Sequence, residues 1–421
     1  MSDWDEDCLP QPASAGPGVA RDSGALGIPS TFAALRHRNY RLFFFGQLIS
    51  LIGSWMQWTA LSWLIYDLTK SPFLLGSIAA AGQLPPLLFS LPAGALADRM
   101  PKRTILLVTE SLAMVLAFAL WGLALTPWMK AWHIAVLSAL GGMVFAFDMP
   151  ARQAFIAEIV ERPDLMNAIA LSAGLFNVAR LVGPAIAGIL VAEVGAPTCF
   201  LINGLSFGAV IVALLMMRIG KQAEESPRGS VTAEVVSGLR YVRAEPRLFS
   251  AMLLLGVAGV FTWAYIVLMP VFAKDVLRGG PPELGWLMSA SGVGAVIGSL
   301  SVASLGNYPR KYLLTLVGLA VFTLGIFGFS ASRTLVLSLA LLAVGGWGSV
   351  VFLSAISTLV QTCTSDGMRG RVMGVWSLVF SGSTPVSSVF AGAIAQHMGA
   401  PAAAAIGAAI GGVGAVGINA A

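Results

Sequence analysis

Twelve apolar runs, each close to the length that carries a helix across a bilayer, dominate this sequence. A span needs about 20 apolar residues. Such runs lie at approximately 43–66, 73–97, 104–126, 132–150, 166–191 and 199–217, and again at 248–272, 284–305, 313–330, 335–356, 372–396 and 402–419. The polar stretch 218–246 separates the sets, so the order is six runs, a linker and six more. In hydrocarbon every backbone N–H and C=O has to be satisfied within its own segment, which predicts helices and an all-α membrane protein. Only 11% of the 421 residues are charged, and the mean hydropathy is +0.82. A soluble domain carries about 25% charge.

Charge placement predicts orientation, because cytoplasmic loops collect Lys and Arg. With the N-terminus inside, the outer loops hold only Lys70, Lys130, Lys274, Arg278 and Arg333 of the 25 basic residues. Arg180 falls within a run, and the rest lie on the inner side. The expectation is a multi-pass inner (plasma) membrane protein with both termini in the cytoplasm. The basic residues form short blocks between apolar runs, with no basic face and no stacking module, which argues against nucleic acid. Cys8, Cys199 and Cys363 are far apart and form no CxxC, so neither a metal site nor a disulfide framework is expected. Residues 1–31, rich in Pro, Ala, Gly and Ser with an acidic cluster, are expected to form a disordered cytoplasmic tail. They lack the basic start and apolar centre of a signal peptide.

The two sets of runs repeat. Arg41-Leu42-Phe43 before the first matches Arg247-Leu248-Phe249 before the seventh. Pro101-Lys102-Arg103 after the second matches Pro309-Arg310-Lys311 after the eighth, and Gly195-Ala196-Pro197 after the fifth matches Gly399-Ala400-Pro401 after the eleventh. Three matches in one order at nearly one offset predict two pseudo-symmetric six-helix bundles, 32–217 and 247–421, joined by a cytoplasmic linker at 218–246. An even number of spans per unit makes the repeat parallel.

Several stretches carry a family resemblance. Gly94-Ala-Leu96-Ala-Asp98-Arg99-Met-Pro101-Lys102-Arg103 resembles the loop signature of the major facilitator superfamily, with Pro101 in place of its second glycine and Lys102 in place of an arginine. Gly183-Pro184-x-x-x-Gly188 in the fifth run is similar to that superfamily's antiporter signature, without the upstream glycines. The stretches 35–47, 66–72, 148–160, 200–207 and 237–249 resemble the enterobactin-exporter and macrolide-efflux branch. The resemblance implies the major facilitator fold of 12 transmembrane helices and a carrier that rocks one half against the other. It also implies a gate at the loop, built from Gly94, Asp98, Arg99, Lys102, Arg103 and Asp148. The competing reading of those charges is topogenic signal plus surface ion pairs, worth about 0–1 kcal/mol each.

Charges within the runs are candidates for chemistry, because a charge at mid-membrane is costly and faces the bundle interior or a wet cavity. Arg180 lies about 14 residues into its run; it reads as a contact for an anion or polar substrate, as the partner of a titrating carboxylate, or as a structural ion pair. Glu110 and Asp148 are the carboxylates within runs and the proton-coupling candidates, since burial favours the protonated carboxyl. Glu110 could instead pair with Arg103. Asp67 and Glu193, at outer helix ends, read as solvated.

Polar residues recur at helical spacing in the first, fourth, seventh and tenth runs. The resemblance makes those four the lining of a central cavity, with Gln47, Ser54, Gln57, Trp58, Phe145, Tyr265, Ser357 and Gln361 on its wall beside Arg180. Interhelical hydrogen bonds are the alternative, worth about 1 kcal/mol or less each. The GxGxxG at Gly412–Gly417 has no strand before it and reads as a glycine-packed helix. Gly294 and Gly298 likewise read as close helix contact. No Walker-type motif exists, so energy is not expected from ATP hydrolysed by this chain, and without a paired-aspartate, serine-base or zinc constellation no enzyme activity, metal or cofactor is expected. The expected function is proton-coupled export of a small, partly apolar compound such as a siderophore or drug by a monomeric secondary transporter. The alternatives are an uptake carrier of the same fold and a non-transporting membrane sensor or scaffold.

Overall fold

The computed structural model describes residues 32–218, 231–304, 308 and 310–420. The side chains of residues 91, 95, 97–99, 231–234 and 415–420 lie outside that description, as does the whole of 1–31. The first six membrane helices are α1 (Arg38–Thr69), α2 (Pro72–Arg99), α3 (Lys102–Ala124), α4 (Ala131–Ile159), α5 (Leu165–Val194) and α6 (Ala196–Met216). The second six are α7 (Pro246–Val276), α8 (Pro281–Ser304), α9 (Lys311–Ala331), α10 (Leu335–Thr362), α11 (Arg369–Met398) and α12 (Ala400–Ala420). Among the described residues, α1 to α11 are long and apolar enough to cross a membrane. The apolar stretch described in α12, Ala400–Gly414, is shorter.

Local chemistry explains the breaks between helices. After α1 the chain turns at Lys70, in the left-handed region at φ 50°, and the Ser71 hydroxyl then accepts the Leu74 N–H at the start of α2. Gly195 and Gly399 have φ of 88° and 84°, values that an L side chain resists. Each is followed by Ala-Pro, and a proline in the first helical turn lacks an N–H that would be orphaned anyway. The repeated Gly-Ala-Pro therefore makes the same turn in both halves. Helix α7 is discontinuous. Pro270 cannot bond the Ile266 carbonyl, and the chain passes through a 3-10 turn at Thr262–Tyr265 before a π-type turn at Phe272–Val276.

The linker holds a helix, Val231–Ala244, that its polar composition does not announce. Val235, Gly238 and Val242 share its inner face, and Gly238 lies against the Arg371 backbone at the start of α11. Cys199 is a buried free thiol.

The halves meet along two seams, α2 with α11 and α5 with α8. A Cβ on Gly285 would lie 2.5 Å from the Pro184 carbonyl oxygen, and one on Gly188 would lie 2.7 Å from that of Pro281. In the other seam, Gly392 faces the Pro72 carbonyl at 2.6 Å and Gly76 faces the Ser388 carbonyl. Gly294 and Gly298 make the same close approach within the second half, against α10. Small residues let backbones touch, which is what holds helices together where lipid is as apolar as leucine.

These seams close one end only. Ile65, Tyr66, Leu75 and Ile78 of the first half are buried in the same apolar cluster as Tyr265, Leu268 and Phe272 of the second. Tyr66 donates to the Asp275 carboxylate, Lys274 pairs with Asp67, and Ser71 Oγ donates to Gln396 Oε1 at 2.8 Å. Asp67, read above as solvated, is thus a tie between the halves. Gln83 Nε2 donates to Ser388 Oγ at 3.2 Å, and Ser289 Oγ donates to the Leu181 carbonyl at 2.7 Å. Among the described residues, every hydrogen bond between the halves lies at this far end or at mid-depth. Toward the linker end, nothing lies within 4 Å of a Cβ position on Gly94 of α2 or Gly374 of α11. Among the described residues, therefore, the halves touch at the far end and at mid-depth and separate toward the linker.

The variant Gly285→Leu should keep the α5–α8 seam from closing. Spin labels on cysteines at Lys70 and His397 should report a longer, broader far-end distance than in the parent. An unchanged distance would mean that this seam does not need its glycine.

Candidate functional site

Two charged centres stand within the helices, and they satisfy their charges differently. The first joins α1, α3 and α4 toward the linker end. Asp148 and Arg152 are one turn apart on α4, the spacing at which helical side chains meet. Arg152 Nε donates to Asp148 Oδ2 at 2.9 Å, and its terminal nitrogens reach Asp148, Glu110 and Gln47. Gln47 Nε2 donates to Glu110 Oε1 at 3.2 Å, and Thr109 Oγ1 donates to Asp148 Oδ1 at 2.9 Å. Glu110 and Asp148 are 1% and 5% exposed. With both carboxylates ionised the group carries one net negative charge; with one protonated it is neutral. Glu110 Oε2 is buried without a hydrogen-bond partner, so one oxygen of this group has room for a proton.

This geometry revises several expectations. Glu110 pairs with Arg152, not Arg103. Arg152, counted above among the inner-side basic residues, belongs to the interior because α4 runs on to Ile159. The i, i+4 spacing from Asp148 was the signal in the sequence. Among the described residues Asp148 is held by Arg152 and Thr109, not by Lys102 or Arg103. At the loop itself, Lys102 pairs with Glu158 at 3.1 Å, and Arg103 donates to the Leu215 carbonyl at 3.2 Å. Gly94 is half-buried, while the side chains of Asp98 and Arg99 lie outside the described residues.

The second centre is Arg180, near the middle of α5 where the α5–α8 seam closes. Its guanidinium donates to Ser291 Oγ of α8 at 3.1 Å, and Tyr265 Oη of α7 lies 3.5 Å from that hydroxyl. No carboxylate among the described residues is within ion-pair distance of Arg180. One turn toward the linker on the same helix, Phe176 packs edge-on against Trp55 at 5.6 Å, and Trp55 against Trp58 at 5.4 Å. An aromatic cluster of α1 and α5 thus begins one helical turn from Arg180. Phe176 was not among the expected cavity residues, although it is one turn from Arg180 in the sequence.

The remaining candidates scatter. Gln57 turns away from the space between the halves and accepts from Asn203 of α6 at 2.9 Å. Gln47 is enclosed in the first charged centre, and Tyr265 is 1% exposed behind Ser291. Gln361 donates to Ser357 on its own helix at 3.2 Å. Trp58 and Phe145 are exposed, and Ser54 is half-buried. Gly183 faces α1 at the Trp55 Cβ and Ile52 carbonyl, whereas Pro184 and Gly188 face α8. The antiporter-like stretch therefore builds two helix contacts and no polar site.

The profile of the transmembrane secretion effector family, a family of the major facilitator superfamily, matches residues 29–419. The chain belongs to that family. It is a multi-pass, secondary-active transporter of a small molecule that works by alternating access, and it is not an enzyme. It is 29% identical over 373 residues to the multidrug efflux pump Tap of Mycolicibacterium fortuitum, covering 85% of this chain and 89% of that one. It is 24% identical over 364 residues to the staphyloferrin A transporter of Staphylococcus aureus, covering 85% and 90%. The crystal structure of the nucleoside transporter NupG superposes with a TM-score of 0.71 at 12% identity, covering 91% of this chain and 98% of that one. The last likeness bears on the fold alone, which is the two-times-six helical bundle of the superfamily.

Removing one member of a buried charge group strands the others, at a cost of about 3–5 kcal/mol. Arg152→Gln should therefore lower the thermal midpoint and yield sharply. Adding Asp148→Asn to Arg152→Gln should restore part of the loss. Thermal unfolding of the purified protein followed by fluorescence checks both.

Proposed function

We propose that the chain is a proton-coupled exporter of a small, partly apolar compound of the drug or siderophore kind, seated as a monomer in the inner membrane with both termini in the cytoplasm. The observation that carries the coupling is the buried group of Gln47, Glu110, Asp148 and Arg152. It holds two carboxylates against one cation, with one carboxylate oxygen unpartnered. Taking up a proton brings the group to neutrality inside an apolar bundle, where a net charge is costly. Losing it restores the full pairing to Arg152. A group near the linker end of α3 and α4 can thereby bias how those helices pack as the halves rock. In this reading Lys102 with Glu158, and Arg103 with the end of α6, form part of the gate that opens and closes at the loop.

Support for a partly apolar cargo comes from the walls. Away from their ends, the second-half helices offer hydroxyls, amides and rings and no ionised side chain, and the first half offers Trp55, Trp58 and Phe176. The names of the two relatives, a multidrug efflux pump and a siderophore transporter, suit the same class. The enterobactin-like and macrolide-like stretches of the sequence point the same way. Orientation rests on the concentration of Arg and Lys toward the linker end. On that assignment, the conformation open toward the linker is the inward-facing one.

The test is the pH gradient of energised inverted membrane vesicles, followed by fluorescence quenching while macrolides, catecholate siderophores and lipophilic compounds are added. One class should dissipate the gradient with the parent protein. Glu110→Gln and Asp148→Asn should remove the response while leaving monodisperse protein. Variants that respond like the parent would refute coupling at this group. Accumulation only in right-side-out vesicles would make the carrier an importer.

A further inference from the structure

Arginines 152 and 180 are both embedded in the bundle, and only one of them has its charge answered. Arg152 donates to two carboxylates and an amide oxygen. Arg180 donates one hydrogen bond, to the neutral hydroxyl of Ser291, and no carboxylate among the described residues is near enough to pair with it. A guanidinium has five N–H donors in a planar fork. None of those on Arg180 is both sealed from solvent and unpartnered, so the donors that Ser291 leaves unused open onto accessible space. Leu181 and Pro184, the next residues along, are packed against α8, so Arg180 stands at the edge of the α5–α8 seam.

The other embedded charges cannot reverse the sign of this site. Glu110 and Asp148 are buried and committed to Arg152, so they offer no exposed carboxylate to a cation. Asp67 and Asp275, at the far end, are taken by Lys274 and Tyr66. Around Arg180 the neighbours are Ser291, Tyr265 and, one turn away, Phe176 with Trp55 and Trp58. A cation with open donors, backed by hydroxyls and with rings one turn away, is complementary to an anionic oxygen group on an apolar body. Arginine meets a carboxylate with two parallel charge-assisted hydrogen bonds, a geometry that neither an amide nor an amine reproduces.

We propose that Arg180 is a specificity-determining residue and that the substrate is an amphipathic acid. Its carboxylate is held by the Arg180 fork beside Ser291, and its apolar part lies against Trp55, Trp58 and Phe176. This rests on the reading of a partly apolar cargo given above and narrows it to one sign of charge, excluding lipophilic cations. Because Arg180 belongs to the first half and Ser291 to the second, a carboxylate bound there touches both bodies that move.

The experiment uses the purified full chain in lipid nanodiscs and three isosteric probes: 1-naphthoic acid, its primary amide and 1-naphthylmethylamine. Binding is read by quenching of tryptophan fluorescence and by thermal shift, independently of any pH gradient. The acid should bind about tenfold more tightly than the amide, and the amine most weakly. Arg180→Gln should erase the acid's advantage and leave the amide unchanged, and Arg180→Lys should keep part of it. Equal binding of acid and amide, preference for the amine, or an acid preference that survives Arg180→Gln would each overturn the inference. These outcomes leave the transport reading to stand or fall by the vesicle assay. Equal stabilisation by acetate or inorganic phosphate would also overturn it, by making the site a small-anion pocket with no use for the rings. Failure of all three probes to bind would overturn the aromatic-acid class.

Discussion

A formal charge among apolar helices has to be answered by another charge, by water or by a ligand, because hydrocarbon offers nothing. The interior of this transporter is organised by that demand. Away from the helix ends, the described residues place four ionised side chains, Glu110, Asp148, Arg152 and Arg180. Three of them answer one another in a compact group across α1, α3 and α4. The fourth is answered only by a hydroxyl from the opposite half, and its remaining donors are not sealed from solvent. One centre is thus closed and suited to holding a proton, and the other is open and suited to holding a ligand.

The seams give these centres mechanical meaning. Backbones touch at Gly188 and Gly285 on one side and at Gly76 and Gly392 on the other, so the far end is a contact of main chain against main chain. Such contacts are made at close range and lost at once when helices part. The charged members of the polar ties at the same end, Asp67, Lys274 and Asp275, are exposed enough to exchange with water. A closure built this way is reversible without stranding a buried charge. Arg180 sits where the α5–α8 seam begins and is tied to the opposite half through Ser291.

Much of the architecture was legible from the sequence. The twelve apolar runs, their division by a polar linker and the paired Gly-Ala-Pro turns were readable because bilayer thickness and left-handed φ impose local requirements. The close approach at Gly294 and Gly298 was readable for the same reason. What was not legible depended on which residue meets which. For Glu110 the sequence offered Arg103, a neighbour on its own helix, as the possible ion-pair partner, whereas its partner Arg152 comes from a different helix. Gln57 was placed on the cavity wall by its period along α1, but Asn203 of α6 claims it. The linker helix was hidden by its polar composition, although Val235, Gly238 and Val242 mark one face.

The sequence by itself determined that this chain crosses a membrane many times, that its two sets of spans are related, and that its unusual charges stand at Glu110, Asp148 and Arg180. These follow from the cost of exposing peptide groups or charges to lipid, which each segment meets on its own. Only the tertiary structure decided how the charges are shared: three enclosed with Gln47 in one half, one left beside Ser291 of the opposite half. That division depends on helix rotation and on contacts between different helices, from Glu110 with Arg152, 42 positions apart, to Arg180 with Ser291, 111 apart. No local pattern encodes it, because a polar side chain at a given helical phase faces a partner or a cavity according to what its neighbours bring.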